Sequence, residues 1–243
     1  MVPSNFFDKK YNNPLTKENV HIWSAKLEAS TEELNYFNSF LSPDEHERAL
    51  SFVYIQDRQK FIIARGILRH LLAKYICKSA QNIEVLYGMW GKPCVADNYN
   101  LKFNMSHSKE YALFAFSCSY ELGIDLEYID DKVNVHEIAL NILNDDELAY
   151  FKTLNSQDKI VFFYKLWACK EAYLKSLGKG WLKEQQQIPS MLFSICKSPH
   201  TQPFSNKTYP YYFKCISGYA SAIFIDGPPL MHIYYNWKNK LVT

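Results

Sequence analysis

The 243-residue chain lacks most of the features that mark membrane, secreted or nucleic-acid-binding proteins. No apolar run approaches the ~20 residues needed to span a bilayer, and no cationic segment with an apolar stretch behind it opens the chain. Met1-Val2-Pro3-Ser4-Asn5 leads directly into Phe6-Phe7-Asp8-Lys9-Lys10. The six cysteines (Cys77, Cys94, Cys118, Cys169, Cys196 and Cys215) form no C-x-x-C pair. Several lie in apolar periodic segments, as buried free thiols do, so a reducing cytoplasm is the expected compartment. Excess charge is missing too. The formal net charge is +2, too small for the basic stripe that binds DNA or RNA. Without a Gly-x-Ser-x-Gly turn, a serine hydrolase would lack its strained elbow. What remains is 48% hydrophobic and 21% charged, a globular composition long enough for one large core or two small ones.

The strongest positive signal is Gly123-Ile124-Asp125-Leu126-Glu127. Leu122, Ile124 and Leu126 alternate with Gly123, Asp125 and Glu127, the pattern of a half-buried strand. Residues two apart on a strand share a face, so the two carboxylates converge and repel. A hard divalent cation with oxygen ligands offsets that repulsion, and Mg²⁺ suits a site with few carboxylates and a phosphate-bearing ligand. Taken alone, the pair reads as a solvated strand face ahead of a turn at Asp130-Asp131. Its meaning depends on its neighbours.

Downstream, Phe163, Leu166, Trp167, Tyr173, Leu174 and Leu177 recur at helical spacing, with no Gly or Pro before Gly178. Glu171 and Lys175 are four apart and share one helix face. They read either as a surface ion pair or as a third carboxylate beside a phosphate-binding cation. Gly178-Lys179-Gly180 closes the helix. Trp167 reads as core. Upstream, Ser106 and His107 leave a short strand for a polar turn, where a hydroxyl and an imidazole suit a phosphate oxygen or merely shape the turn. Gly91-Lys92-Pro93 presents a cation on another turn.

The two halves echo each other. Leu41-Ser42-Pro43-Asp44-Glu45 resembles Leu143-Asn144-Asp145-Asp146-Glu147, and Gln56-Asp57 and Gln157-Asp158 each precede a long helix, over about 58–78 and 159–177. Ser42 and Asn144 are expected N-caps, each with an acid three residues on. Strands are expected at Val20–Leu27, Ile83–Met89, Leu101–Met105, Met191–Cys196, Tyr211–Ser217, Tyr219–Ile225 and Met231–Trp237. This irregular alternation favours α+β over a doubly wound sheet. The reading is a duplicated α+β subdomain, 1–122 and 123–243. An amphipathic helix at Val133–Leu143 either docks a partner or packs on its own subdomain. Thr201 to Lys207 reads as a loop, and Lys60 as a solvated helix residue.

Gly91-Lys92-Pro93, Phe103-Asn104-Met105-Ser106-His107-Ser108, Gly123-Ile124-Asp125-Leu126-Glu127 and Trp167-Ala168-Cys169-Lys170-Glu171-Ala172-Tyr173-Leu174-Lys175 together resemble, in order and spacing, the 4′-phosphopantetheinyl transferases. The resemblance is to the surfactin-synthetase-activating (Sfp-like) class. It implies transfer of the phosphopantetheine arm of coenzyme A to a serine of an apo acyl or peptidyl carrier protein, releasing 3′,5′-ADP. It also implies a pseudo-dimer of similar α+β subdomains with coenzyme A in the cleft between them. By the same resemblance Asp125, Glu127 and Glu171 are metal ligands, for Mg²⁺ or alternatively Mn²⁺. Lys175, Lys92, Ser106 and His107 match phosphate-contacting residues, and Arg65 matches a coenzyme-binding arginine on the long helix of the first half. Glu171 is the favoured general base, with Glu127 or a water on the metal as competitor.

One departure lies after Ser42-Pro43, where many relatives carry two basic residues. Here the segment reads Asp44-Glu45-His46-Glu47-Arg48, leaving Arg48 as the cation. A cytoplasmic monomer serving secondary-metabolite or fatty-acid biosynthesis is expected, with no nucleic acid or membrane partner. A metal-dependent nucleotide phosphoesterase would want a second His and Asp cluster, which the sequence lacks. A non-catalytic coenzyme A or carrier binder would not demand Asp125, Glu127, Glu171 and Lys175 together.

Overall fold

The computed structural model describes residues 13–178, 188, 191–197, 209–213 and 215–238. The opening stretch, Lys179-Gly180 and the loop expected at 201–207 lie outside the described residues. The first half comprises β1 (Asn19–Lys26), α1 (Thr31–Asn38), α2 (Pro43–Leu50), α3 (Ile55–Ile76), β2 (Leu86–Tyr87), β3 (Pro93–Cys94), β4 (Lys102–Ser108) and β5 (Tyr111–Ser117). The second comprises β6 (Leu122–Tyr128), α4 (Val135–Ile142), α5 (Asp145–Thr153), α6 (Ser156–Ser176), α7 (Met191–Lys197), β7 (Tyr209–Phe213), β8 (Tyr219–Ile225) and β9 (Met231–Asn236). The fold is α+β. No described helix is long and apolar enough to cross a membrane.

One sheet has the order β4-β5-β1-β9 and another β6-β8-β7, while β2 and β3 form a small ribbon. In each half the first strand pairs antiparallel with the second strand of a later antiparallel pair: β1 with β5 beside β4, and β6 with β8 beside β7. The echo read in the sequence thus recurs in the connectivity. β9 then returns to lie parallel to β1, so the last strand completes the first sheet.

Both expected N-caps carry a capping box. Ser42 N donates to Glu45 Oε2 at 3.1 Å, and Asn144 N donates to Glu147 Oε2 at 2.9 Å. The same acids then turn inward. Arg69 Nε donates to Glu45 Oε2 at 2.5 Å and Lys170 Nζ to Glu147 Oε2 at 2.6 Å. Arg69 also donates to the Ala80 and Ile83 carbonyls, and Lys170 to the Ile142 carbonyl. Each short capped helix is thereby fastened to the long helix of its half, each buried acid paired with a buried cation.

Three apolar clusters follow from these elements. The first joins Leu68, Leu71 and Leu72 of α3 to Phe114 and Phe116 of β5. The second lies under α6, around Phe151, Leu166, Ala168 and Ala222, and takes in Val135, Ala139 and Ile142 of α4. The amphipathic helix therefore packs within its own half. The third joins the sheets, setting Val20, Ile22, Leu113 and Ala115 beside Leu122, Ile124, Leu126 and Ile223. Buried on both faces, β5 reads as a continuous apolar run, not an alternating one.

Three expectations are corrected. Met191–Cys196 is not a strand but part of α7: Leu192 and Cys196, four apart, are both buried, and a short apolar run fits either period. Of Ile83–Met89 only Leu86–Tyr87 is strand, because Gly88 N turns back to the Lys92 carbonyl. Ser106 and His107 do not leave the strand. β4 runs to Ser108, which pairs with Tyr111 across the tight turn at Lys109-Glu110.

Candidate functional site

The site is built where α6 crosses β6. Gly123 permits that approach, since a Cβ there would collide with the Ala172 carbonyl and the Ser176 amide of α6. Backbone against backbone, the last turns of α6 bring Glu171 and Lys175 over the β6 acids. Gly178, at φ +65°, then closes the helix as expected.

On the other side β4 lies along β6 with side chains in place of a backbone ladder. Asn104 Oδ1 accepts from Ile124 N at 2.9 Å, and Ser108 Oγ accepts from Tyr128 N at 3.0 Å. Between them Ser106 Oγ donates to Asp125 Oδ1 at 2.9 Å. Asn104, Ser106 and Ser108 are alternate residues, so one strand face supplies all three contacts. That period-two polar face is the sequence signal for Asn104 and Ser108.

Asp125 is 1% exposed, and its Oδ1 also receives Lys175 Nζ at 2.5 Å, while Lys175 Nζ lies 3.0 Å from Ser106 Oγ. Asp125 Oδ2 is buried without a hydrogen-bond partner. Trp167, read as core, does pack beside the second cluster, yet its Nε1 donates to Glu127 Oε1 at 3.2 Å. Ser108 Oγ donates to Glu127 Oε2 at 3.5 Å.

The acids feel one another. Burial, with the negative charges of Asp125 and Glu171, pushes the Glu127 carboxyl up to about 7 against the Trp167 hydrogen bond and Lys175. Burial and then Asp125 raise Glu171 as well, with Lys175 opposing. Among the described residues no group of three His, Cys, Asp or Glu side chains is gathered as a metal cluster. The cation seated on Asp125 is Lys175. The donor set nevertheless suits a hard cation: Lys175 contacts Asp125 and electrostatically opposes the rise of both Glu127 and Glu171, and Asp125 keeps one buried, unpartnered carboxylate oxygen.

Cations from three elements, α6, α3 and α2, act on His107, on the strand next to this cluster. The protein crowding the imidazole, followed by Lys175, Arg65 and Arg48, holds it below its ordinary value. Arg65 Nη2 donates to Tyr87 Oη at 3.2 Å, and its guanidinium lies 3.8 Å from Glu45. Exposed Arg48 and buried Arg65 both lie over the Phe61 ring, at 5.6 and 5.7 Å. Lys92 stands apart from this group. Its Nζ donates to Glu121 Oε2 at 2.8 Å and to the Leu122 and Ser176 carbonyls, bracing the end of α6 against the start of β6. Lys60, expected to be solvated, pairs with Glu110 at 2.7 Å.

Residues 121–223 match the 4′-phosphopantetheinyl transferase superfamily, and residues 25–119 match the 4′-phosphopantetheinyl transferase N-terminal family. The chain is 30% identical to the 4′-phosphopantetheinyl transferase HetI of Nostoc sp. over 96% of its own length and 100% of that protein. It is also 30% identical to the 4′-phosphopantetheinyl transferase Sfp of Bacillus subtilis, over 62% of this chain and 66% of the relative. A putative 4′-phosphopantetheinyl transferase of Synechocystis sp. is 33% identical over 59% of each chain. The strand acids, the helix Glu171 and Lys175, and the two matched halves belong together: this chain is a member of the 4′-phosphopantetheinyl transferase family, of the two-domain Sfp type.

Proposed function

We propose that this transferase moves the phosphopantetheine arm of coenzyme A to a serine hydroxyl of an apo acyl or peptidyl carrier protein, with Mg²⁺ held by Asp125, Glu127 and Glu171. Mn²⁺ is the alternative ion. The observation that carries the metal reading is the buried, unpartnered Asp125 Oδ2, beside a Glu127 raised by burial, Asp125 and Glu171 and a Glu171 raised by burial and Asp125. When bound, the ion neutralises charge building on the leaving 3′,5′-ADP.

The remaining work falls to the chain. Lys175 and Ser106 hold diphosphate oxygens, His107 donates a hydrogen bond to the nucleotide phosphates and Arg65 and Arg48 balance their charge, with Lys92 bracing the cradle. The serine Oγ forms a bond to phosphorus as the bond to the 3′,5′-ADP oxygen breaks, and Glu171 accepts the serine proton. Glu127 is the competing base. Positioning and charge supply most of the rate, because such a transfer needs little covalent help. We further read the chain as a cytoplasmic monomer of subdomains 1–122 and 123–243, a pseudo-dimer with the site in the cleft between them. The repeated strand order and the paired Glu45 and Glu147 anchors support the pseudo-dimer, with β9, inside 123–243, crossing back to complete the first sheet.

Intact-mass analysis of an apo carrier incubated with the protein, coenzyme A and Mg²⁺ tests the proposal. A gain of one phosphopantetheine mass is expected, and none with Glu171→Gln at matched circular dichroism. Nucleotide release without a carrier would instead indicate a phosphoesterase. Full activity of Glu171→Gln would remove that residue from the mechanism.

A further inference from the structure

Lys170 and Lys175 stand five residues apart on α6 and are held in opposite ways. Lys170 is sealed: its side chain is 2% exposed and its Nζ is tied to Glu147 and the Ile142 carbonyl. The Lys175 side chain is 28% exposed, with Nζ at the rim of the acid cluster against Asp125 Oδ1 and Ser106 Oγ. An ammonium that is partly solvated, on a flexible four-carbon stem, is free to exchange one anionic partner for another. A divalent ion entering this site alone would meet a unit positive charge already in contact with the most buried of the three acids.

We propose that Lys175 is a built-in competitor of the metal. It occupies Asp125 while no substrate is bound and passes to the diphosphate when coenzyme A arrives, so that ion and coenzyme A load together. The inference rests on the metal reading of Asp125, Glu127 and Glu171 given above. Its physical basis is charge accounting at contact distance: two cations on one carboxylate repel, and an incoming diphosphate offers the ammonium a second anion. Ser106 suits the exchange, because its hydroxyl already bonds both Asp125 and Lys175. Linkage makes the effect reciprocal, so metal and coenzyme A tighten each other by one common factor, about 5- to 150-fold in typical coupled sites.

Mn²⁺ is the probe, with free ion read by electron paramagnetic resonance and corrected for Mn²⁺ held by coenzyme A in buffer. The full chain, K175Q, K175R and D125N are each titrated alone, with coenzyme A and with 3′,5′-ADP, which lacks a diphosphate. K175Q is expected to bind Mn²⁺ alone about tenfold tighter than the unsubstituted chain and to gain less from coenzyme A. K175R, which keeps the charge, stays weak, and 3′,5′-ADP does not reproduce the effect of coenzyme A. If K175Q binds no tighter while D125N still abolishes binding, competition is wrong and the metal reading survives. If no form binds Mn²⁺, or D125N binds as well as the unsubstituted chain, the metal reading itself fails. Should K175Q not fold, equal Mn²⁺ affinity of the unsubstituted chain with and without coenzyme A overturns the proposal.

Discussion

Lys170 Nζ lies 2.6 Å from Glu147 Oε2, and both side chains are 2% exposed. The pair joins α5 to α6 at the residue next to Glu171 of the candidate site, and Glu147 at the same time caps α5. Glu45 and Arg69 repeat the device in the first half at 2.5 Å. Removing one partner strands a buried charge, so Lys170→Met is expected to lower stability by about 3–5 kcal/mol. The double replacement Glu147→Leu with Lys170→Met recovers part of the loss. Chemical denaturation of the two variants checks this, and equal loss in both would show that the pair is not the cause.

Gly123→Ala is the substitution to which the site is most sensitive without touching a charged group. The added methyl meets the α6 backbone, which cannot swing aside as a side chain can. We expect stability to fall by about 1–3 kcal/mol. The displaced Glu171 and Lys175 should lower transfer by about 100-fold, since an ångström of misplacement is enough for that. Thermal melting and single-turnover rates on the same sample separate the two effects.

Asn104→Ala removes the acceptor for the buried Ile124 N–H. An orphaned amide of that kind costs about 1–3 kcal/mol. Because Asn104 ties β4 to β6 beside Asp125, slower transfer should accompany the lost stability. Hydrogen exchange at Ile124 should quicken. Unchanged protection there would show that the side-chain bridge is dispensable.

Acid sensitivity should come from buried histidines. Burial, assisted by Lys74, lowers His21 and His70 from 6.5 to about 4. Between those values the unfolded chain binds more protons than the folded one, so their contribution is complete above pH 6.5 and is lost as pH falls toward 4. His70→Phe keeps a ring beside Phe40 and Trp237 and should flatten the decline. The ceiling is about 1.4 kcal/mol for each pH unit removed. Denaturation midpoints from pH 7 to 4 provide the comparison.

Much of the site was legible because its residues obey local periods. Asp125 and Glu127 share a strand face, Glu171 and Lys175 share a helix face, and both capping boxes announced their helices. The partners across space were not legible. Arg69 is 24 residues from Glu45 and Lys170 is 23 from Glu147. No periodicity connects such positions. Lys92 looked like a free cation on a turn, yet it is consumed by Glu121 and two carbonyls. Trp167 fits an apolar stripe, which conceals the indole N–H that reaches Glu127.

By itself the chain's order of residues settled the α+β class, the repeated capped-helix pattern and the acids that lie on common faces, since backbone periods and capping act over a few residues. Only the folded arrangement decided which acid keeps an unpartnered oxygen and which lysine is sealed and which is half-free. It also decided that the final strand belongs to the first sheet. Those outcomes depend on burial and on contacts between distant segments, and neither is written into local spacing.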